Sequence, residues 1–332
     1  MTRLVRYTAG VAAVVAAACL VNIPAAEAAP TCFGQAATKV GTAGNNTLNG
    51  TAAVDVIMGM GGNDTINGLS GNDLLCGGKG SDVINGGFGN DRLGGGPAHD
   101  QLRGNENDDD LTGDGGNDVL DGGAHTSGHN AYDEAIYDTS PAGVTANLTS
   151  GTGTGQGTDT YIGVESLRGS AFADHLIGNT ASLNYLSGQG GSDTLDGEPV
   201  GAGSGGDDMV TGGPGNDLMR GGPAPFGQGD TVSFFSSAVG ITANLLAQTA
   251  TGDGSDTLIG FESIYGSSHS DSLAGDGANN TIYGFGGTDW VFGDAGGDTL
   301  NVQDGDTDDI VSGGLDTDNC TADAGDAVLG CP

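Results

Sequence analysis

Basic residues are almost missing from this chain. Eight Lys and Arg face 43 Asp and Glu, which leaves a formal net charge of −35 over 332 residues. A chain so negative repels nucleic acid and anionic membrane surfaces, so neither is expected as a partner, and cations are. Aromatics are scarce as well, at 5%, with Trp290 the single tryptophan. High charge with little bulky apolar content is the composition of a disordered chain, because burial cannot offset chain entropy. No helical periodicity of useful length is present, and only one apolar run stands out. It follows Arg3 and Arg6, continues to about Ile23, and leads to Ala26-x-Ala28, the pattern of a secretory signal peptide over 1–28. No later stretch is long enough to cross a bilayer, so no membrane span is expected. The catalytic motifs HExxH and GxSxG are missing too.

What the chain has instead is glycine, 67 residues of it, and a phase that does not slip. Asn46, Asp55, Asp64, Asp73, Asp82, Asp91, Asp100, Asp109 and Asp118 stand nine residues apart, and two residues after each comes an aliphatic, from Leu48 and Ile57 to Leu111 and Leu120. A disordered chain has no reason to hold that phase. The ladder pauses over 124–168 and resumes with Asp174, Asn184, Asp193, Asp208 and Asp217. It pauses again over 221–265 and returns with Asp271, Asn280, Asp289 and Asp298, then less regularly with Asp309 and Asp318. The pauses match each other: "GVTANL" at 143–148 recurs as "GITANL" at 240–245, an offset of 97.

Each nonamer reads as about three residues of strand and six of turn. Short strands at this spacing cannot pair as regular hairpins but can stack as coils of a solenoid, two nonamers to an 18-residue coil with the aliphatics inside. The expected fold is therefore all-β, a parallel β-roll or β-solenoid of 18-residue coils carrying two inserted β segments. The expected order is a signal peptide (1–28), a first repeat run (29–123), an insert (124–168), a second run (169–220), a second insert (221–265), and a third run with a disulfide cap (266–332). Four cysteines remain beyond the leader, an even number for an oxidising compartment. One pair lies near each end, so Cys32–Cys76 and Cys320–Cys331 are expected among the three pairings open to them.

The stretches "GGKGSDVIN" (77–85) and "GGFGNDRLG" (86–94) resemble the GGxGxDxUx nonapeptide of the RTX, or haemolysin-type, calcium-binding repeat. Further good copies end at Asp64, Asp73, Asp118, Asp193, Asp217, Asp289 and Asp298, weaker ones at Asp55, Asp100 and Asp109, so the resemblance runs over nearly all of 41–320. It implies a calcium ion between stacked turns, held by carboxylates and main-chain carbonyls. Carried over, the metal ligands are Asp64, Asp73, Asp82, Asp91, Asp109, Asp118, Asp193, Asp208, Asp217, Asp289 and Asp298. Asp174 ("GSAFAD") and Asp271 ("GSSHSD") lack the glycines and are read as structural. Stacked carboxylates about 5 Å apart repel by roughly 3 kcal/mol at an effective dielectric of 20, so a column of them needs a counter-charge. Folding coupled to calcium follows.

Other chemistry is thin. "HTSGHNAYDE" offers His125, His129, Asp133 and Glu134 as a zinc set, but the segment is loop and the second long unit lacks the histidines. The reading is an extracellular, monomeric calcium-binding protein, not an enzyme, with a structural or adhesive role toward a cell-surface or extracellular-matrix partner. The alternative is a secreted, polysaccharide-acting enzyme with its site on the inserted segments.

Overall fold

The computed structural model describes residues 29–124, 132–181, 183–199, 201, 205–223 and 229–331. The expected signal peptide lies outside them. Among the described residues every regular element is a strand, and no helix is long and apolar enough to cross a membrane.

The nine-residue phase becomes an eighteen-residue stack. Ile57 pairs with Leu75 and Leu93 with Leu111 in one sheet; Ile66 pairs with Ile84 and Leu102 with Leu120 in the other. All eight side chains are fully buried. Consecutive nonamers thus alternate between two facing sheets, because a glycine-rich turn reverses the chain within each nonamer. One sheet holds fourteen strands, from Lys39–Val40 to Asn319–Thr321, and every pairing in it is parallel. The second runs from Thr47–Asn49 to Ala327–Leu329. The core is the seam between them, essentially one inward aliphatic per strand, each contributing roughly 1.5–3 kcal/mol of burial. That is a thin core for so many ordered turns.

Two features differ from the expectation. In the first run the strands are six residues long, as in Val56–Gly61 and Thr65–Ser70, because the glycine turns themselves pair coil to coil: Met60 lies beside Gly78 and Gly61 beside Lys79. The second feature is antiparallel pairing at both inserts. Thr145–Asn147 pairs antiparallel with Thr152–Thr154, which pairs antiparallel with Thr158–Ile162; Thr242–Asn244, Thr249–Thr251 and Ser255–Ile259 repeat the arrangement. The inserts still continue the stack, since Ala135 of Glu134–Ile136 pairs with Leu111 below and Leu167 above. Each insert thus places three strands, rather than one, between successive coils of the second sheet.

Both disulfides form as expected. Cys32 sits in a two-strand hairpin, Thr31–Cys32 with Gln35–Ala36, and is bonded to Cys76 on the fourteen-strand sheet. Beside it the Arg92 guanidinium lies 4.3 Å from the Phe33 ring centre. Cys320–Cys331 closes the opposite end.

Candidate metal centre

The aspartate that ends each turn does two things at once. Its own main-chain amide donates to the carboxylate of the aspartate one coil further on: Asp64 N–H to Asp82 Oδ1 at 2.7 Å, Asp82 to Asp100 at 2.7 Å, Asp100 to Asp118 at 2.8 Å. On the other edge Asp73 donates to Asp91 at 2.8 Å and Asp91 to Asp109 at 2.7 Å. Two columns of stacked carboxylates result, one leading into each sheet. Asp193, Asp217 and Asp289 belong to the first edge, and Asp208 and Asp298 to the second.

This bond uses one carboxylate oxygen. The other, Oδ2, is sealed from solvent and has no hydrogen-bond partner in Asp64, Asp73, Asp82, Asp91, Asp109, Asp118, Asp193, Asp208, Asp217, Asp289 and Asp298. All eleven expected ligands share that state. Asp100, Asp230, Asp309 and Asp318 share it too and escaped the sequence reading. "GGPAHD" hides Asp100 because Ala98 stands where glycine is usual, yet Ala98 takes the left-handed φ of 101° all the same. Asp230 is hidden by a turn of unusual length.

An anionic oxygen buried without a partner costs several kcal/mol unless it is protonated or a cation meets it. The cost of burying the charge raises the carboxyl pKa values. Burial, the largest cause, opposed by the amide hydrogen bond and reinforced by neighbouring carboxylates, lifts Asp82 and Asp118 to about 6. The same balance lifts Asp91, Asp100, Asp193 and Asp289 to about 7, and Asp109 and Asp208 to about 8.

The surroundings fit a hard cation. Among the described residues no three Asp, Glu, His or Cys side chains converge as a metal-binding group, and the oxygens at hand are carboxylates together with main-chain carbonyls. The turns bring both together. A Cβ at Gly77 would collide with Asp82 Oδ2 and with the Gly95 carbonyl oxygen of the next coil, and one at Gly86 with Asp91 Oδ2 and the Gly104 carbonyl. Glycine opens each turn because those oxygens occupy the space over its Cα. Calcium takes six to eight such oxygens in flexible geometry.

The zinc set does not assemble among the described residues. His125 and His129 lie outside them; Glu134 is bonded to Arg168 at 2.5 Å and accepts from Ser166. The Asp133 carboxylate is the next rung of a column, accepting the Asp109 amide at 2.9 Å.

Fold and site together define a parallel β-roll whose glycine turns gather unpaired carboxylate oxygens and carbonyls at both edges. The family model of the RTX calcium-binding nonapeptide repeat (four copies) matches residues 40–75, 77–102, 94–124, 168–199, 201–223 and 265–300, just over half of the chain. The chain belongs to that family and is a calcium-binding repeat protein. The match is narrower than the resemblance over 41–320, since it skips both inserts and stops at residue 300. No curated protein matches the chain.

Proposed function

We propose that this is an exported structural protein that calcium folds into a rod outside the cell, with no catalytic activity of its own. The observation that carries the reading is the buried, unpartnered Oδ2 along both columns. Asp64, Asp82, Asp100 and Asp118 on one edge, and Asp73, Asp91 and Asp109 on the other, would hold the ions of the first run. The later runs would use Asp193, Asp217, Asp289 and Asp309, and Asp208, Asp230, Asp298 and Asp318. Bound calcium supplies the positive charge that lets neighbouring rungs stay ionised and stacked. Each site adds about 1.4 kcal/mol to folding when free ion stands tenfold above its dissociation constant. Loop sites of extracellular modules bind at about 0.1–1 mM, which suits a protein exported to calcium-bearing surroundings. Export itself rests on the leader at 1–28 and the two disulfides.

The non-catalytic reading is supported by the state of the insert carboxylates. Asp159 accepts the Asp118 amide and the Tyr137 hydroxyl, Glu165 accepts the Asp133 amide, and Glu262 accepts the Asp230 amide. They terminate columns rather than line a cleft. Circular dichroism of residues 29–332 with chelator and then with millimolar calcium tests the proposal. Strand signal should appear on adding calcium, with heat of binding for several ions per chain in calorimetry. Unchanged strand content would sink it.

A further inference from the structure

The turns fall into two kinds, and the minority kind is placed with a purpose. In the turns with an unpartnered Oδ2 whose preceding residues are described, the residue four before the aspartate is left-handed whatever its identity: Met60 (φ 82°), Leu69 (82°), Asn105 (83°), Gln189 (70°), Phe285 (68°). That conformation turns its amide away from the carboxylate. Six other turns have no positive φ at the corresponding residue, and there the amide closes onto the side chain. Thr42 N–H donates to Asn46 Oδ1 at 2.5 Å, Thr51 to Asp55 Oδ2 at 2.6 Å, and Ser170 to Asp174 Oδ2 at 2.5 Å. Asn179 donates to Asn184 Oδ1 at 2.6 Å, Ser267 to Asp271 Oδ2 at 2.6 Å, and Asp276 to Asn280 Oδ1 at 2.8 Å. Thr51, Ser170 and Ser267 add their hydroxyls to the same carboxylates at 2.9–3.0 Å. In all six the oxygen that faces the turn is satisfied within the protein and is not left for a cation.

They occur in pairs, Asn46 with Asp55, Asp174 with Asn184, and Asp271 with Asn280. Each pair leads one strand into each sheet and so closes both edges of one coil. Each such coil is the first of its run. Each also offers a ready donor to the next rung: the amides of Asn46, Asp55, Asp174, Asn184, Asp271 and Asn280 bond Asp64, Asp73, Asp193, Asp208, Asp289 and Asp298. At five of the six positions the choice between Asp and Asn follows the same accounting; Asp55 opens a column as an aspartate and accepts at Oδ2 alone. Asp174 and Asp271 need two oxygens, because they also accept the Val144 and Ile241 amides from the inserts at 2.6 Å. Asn46, Asn184 and Asn280 open a column, serve the amide of their own turn, and need one.

We infer that these three coils are cation-independent seeds, folded before calcium arrives, from which each run is assembled rung by rung as ions bind. The inference rests on the calcium-folding reading above and adds where folding starts. The Cys32–Cys76 disulfide hairpin backs the first seed, and the hairpin strands Thr145–Asn147 and Thr242–Asn244 pair directly with the second and third. In a solenoid each coil touches only its neighbours, so a preformed coil removes the cost of nucleation for the run beside it.

Hydrogen exchange read by mass spectrometry on the disulfide-intact chain, residues 29–332, tests this. With chelator, peptides covering 42–58, 170–187 and 267–283 should stay protected while 77–97 exchanges freely; with calcium all four should be protected. Equal loss of protection in all four peptides on chelation overturns the seeds and leaves the calcium reading standing. Protection unaffected by calcium everywhere overturns both. A pair of variants supplies a second readout. Asp55→Asn should leave the number of bound calcium ions and the folding midpoint unchanged, whereas Asp73→Asn should lose an ion and raise the midpoint. Loss of an ion in Asp55→Asn would overturn the assignment.

Discussion

Ile84 and Gly86 stand two residues apart and do unrelated work. Ile84 is a fully buried rung of the seam; Gly86 leaves room for Asp91 Oδ2 and the Gly104 carbonyl. Ile84→Ala opens a cavity and should cost about 2–5 kcal/mol in calcium-saturated denaturant unfolding, with the ion count preserved. Gly86→Ala puts a methyl group where the oxygens converge, so calorimetry should show an ion lost, with stability falling as its consequence. The glycine and aspartate roles were legible in the sequence because both keep to the nine-residue phase. What was not legible is which aspartates have a spare oxygen. That depends on the handedness of one preceding residue, and Met60 and Leu69 adopt the left-handed form as Gly78 and Gly87 do. Cross-strand pairing of the turns holds them there against their intrinsic preference.

At the scale of the element, a column behaves as a coupled acid. Burial lifts the most shifted of its folded carboxylates, Asp82 to about 6, Asp91 to about 7 and Asp109 to about 8, against about 4 in the unfolded chain. A raised folded pKa means that the folded state binds more protons. The ionised column therefore opposes folding above about pH 8, and the opposition fades as pH falls toward 4. Without calcium, strand signal in circular dichroism should grow on acidification from pH 8 to 5, while the calcium midpoint shifts to higher concentration as protons compete for the same oxygens. Growth of metal-free structure on alkalinisation would contradict this. The sequence foretold that columns exist, but not how they end. Glu165 and Glu262 replace aspartate at the last rung, and Tyr137 closes Asp159. Those partners are brought in by the hairpin inserts, whose antiparallel strands interrupt the period that made the runs readable.

The whole molecule is a stack some fourteen strands high, about 60–65 Å at ~4.8 Å per strand. Its charge of −35 is partly on the surface and partly in the columns. Monovalent salt screens the first and hardly reaches the second, since buried charges are weakly screened. Small-angle scattering should therefore show a rod in calcium. In chelator the radius of gyration should grow toward, but not reach, about 60 Å, the value of a fully unfolded chain of this length. Molar sodium chloride should not restore the rod, and a rod persisting in chelator would contradict this account.

The columns of carboxylates do not run unbroken from end to end; they stop at the inserts and begin afresh twice. A break in the column is a break in cooperativity. When the ion supply falls partway, one stretch can let go while its neighbours hold, and the hairpin between them acts as a firebreak against the spread of melting. On the proposal that calcium folds the chain, such a molecule would lengthen in stages as its surroundings lose calcium and shorten again as calcium returns, an adjustable spacer whose reach would report the ionic conditions around it.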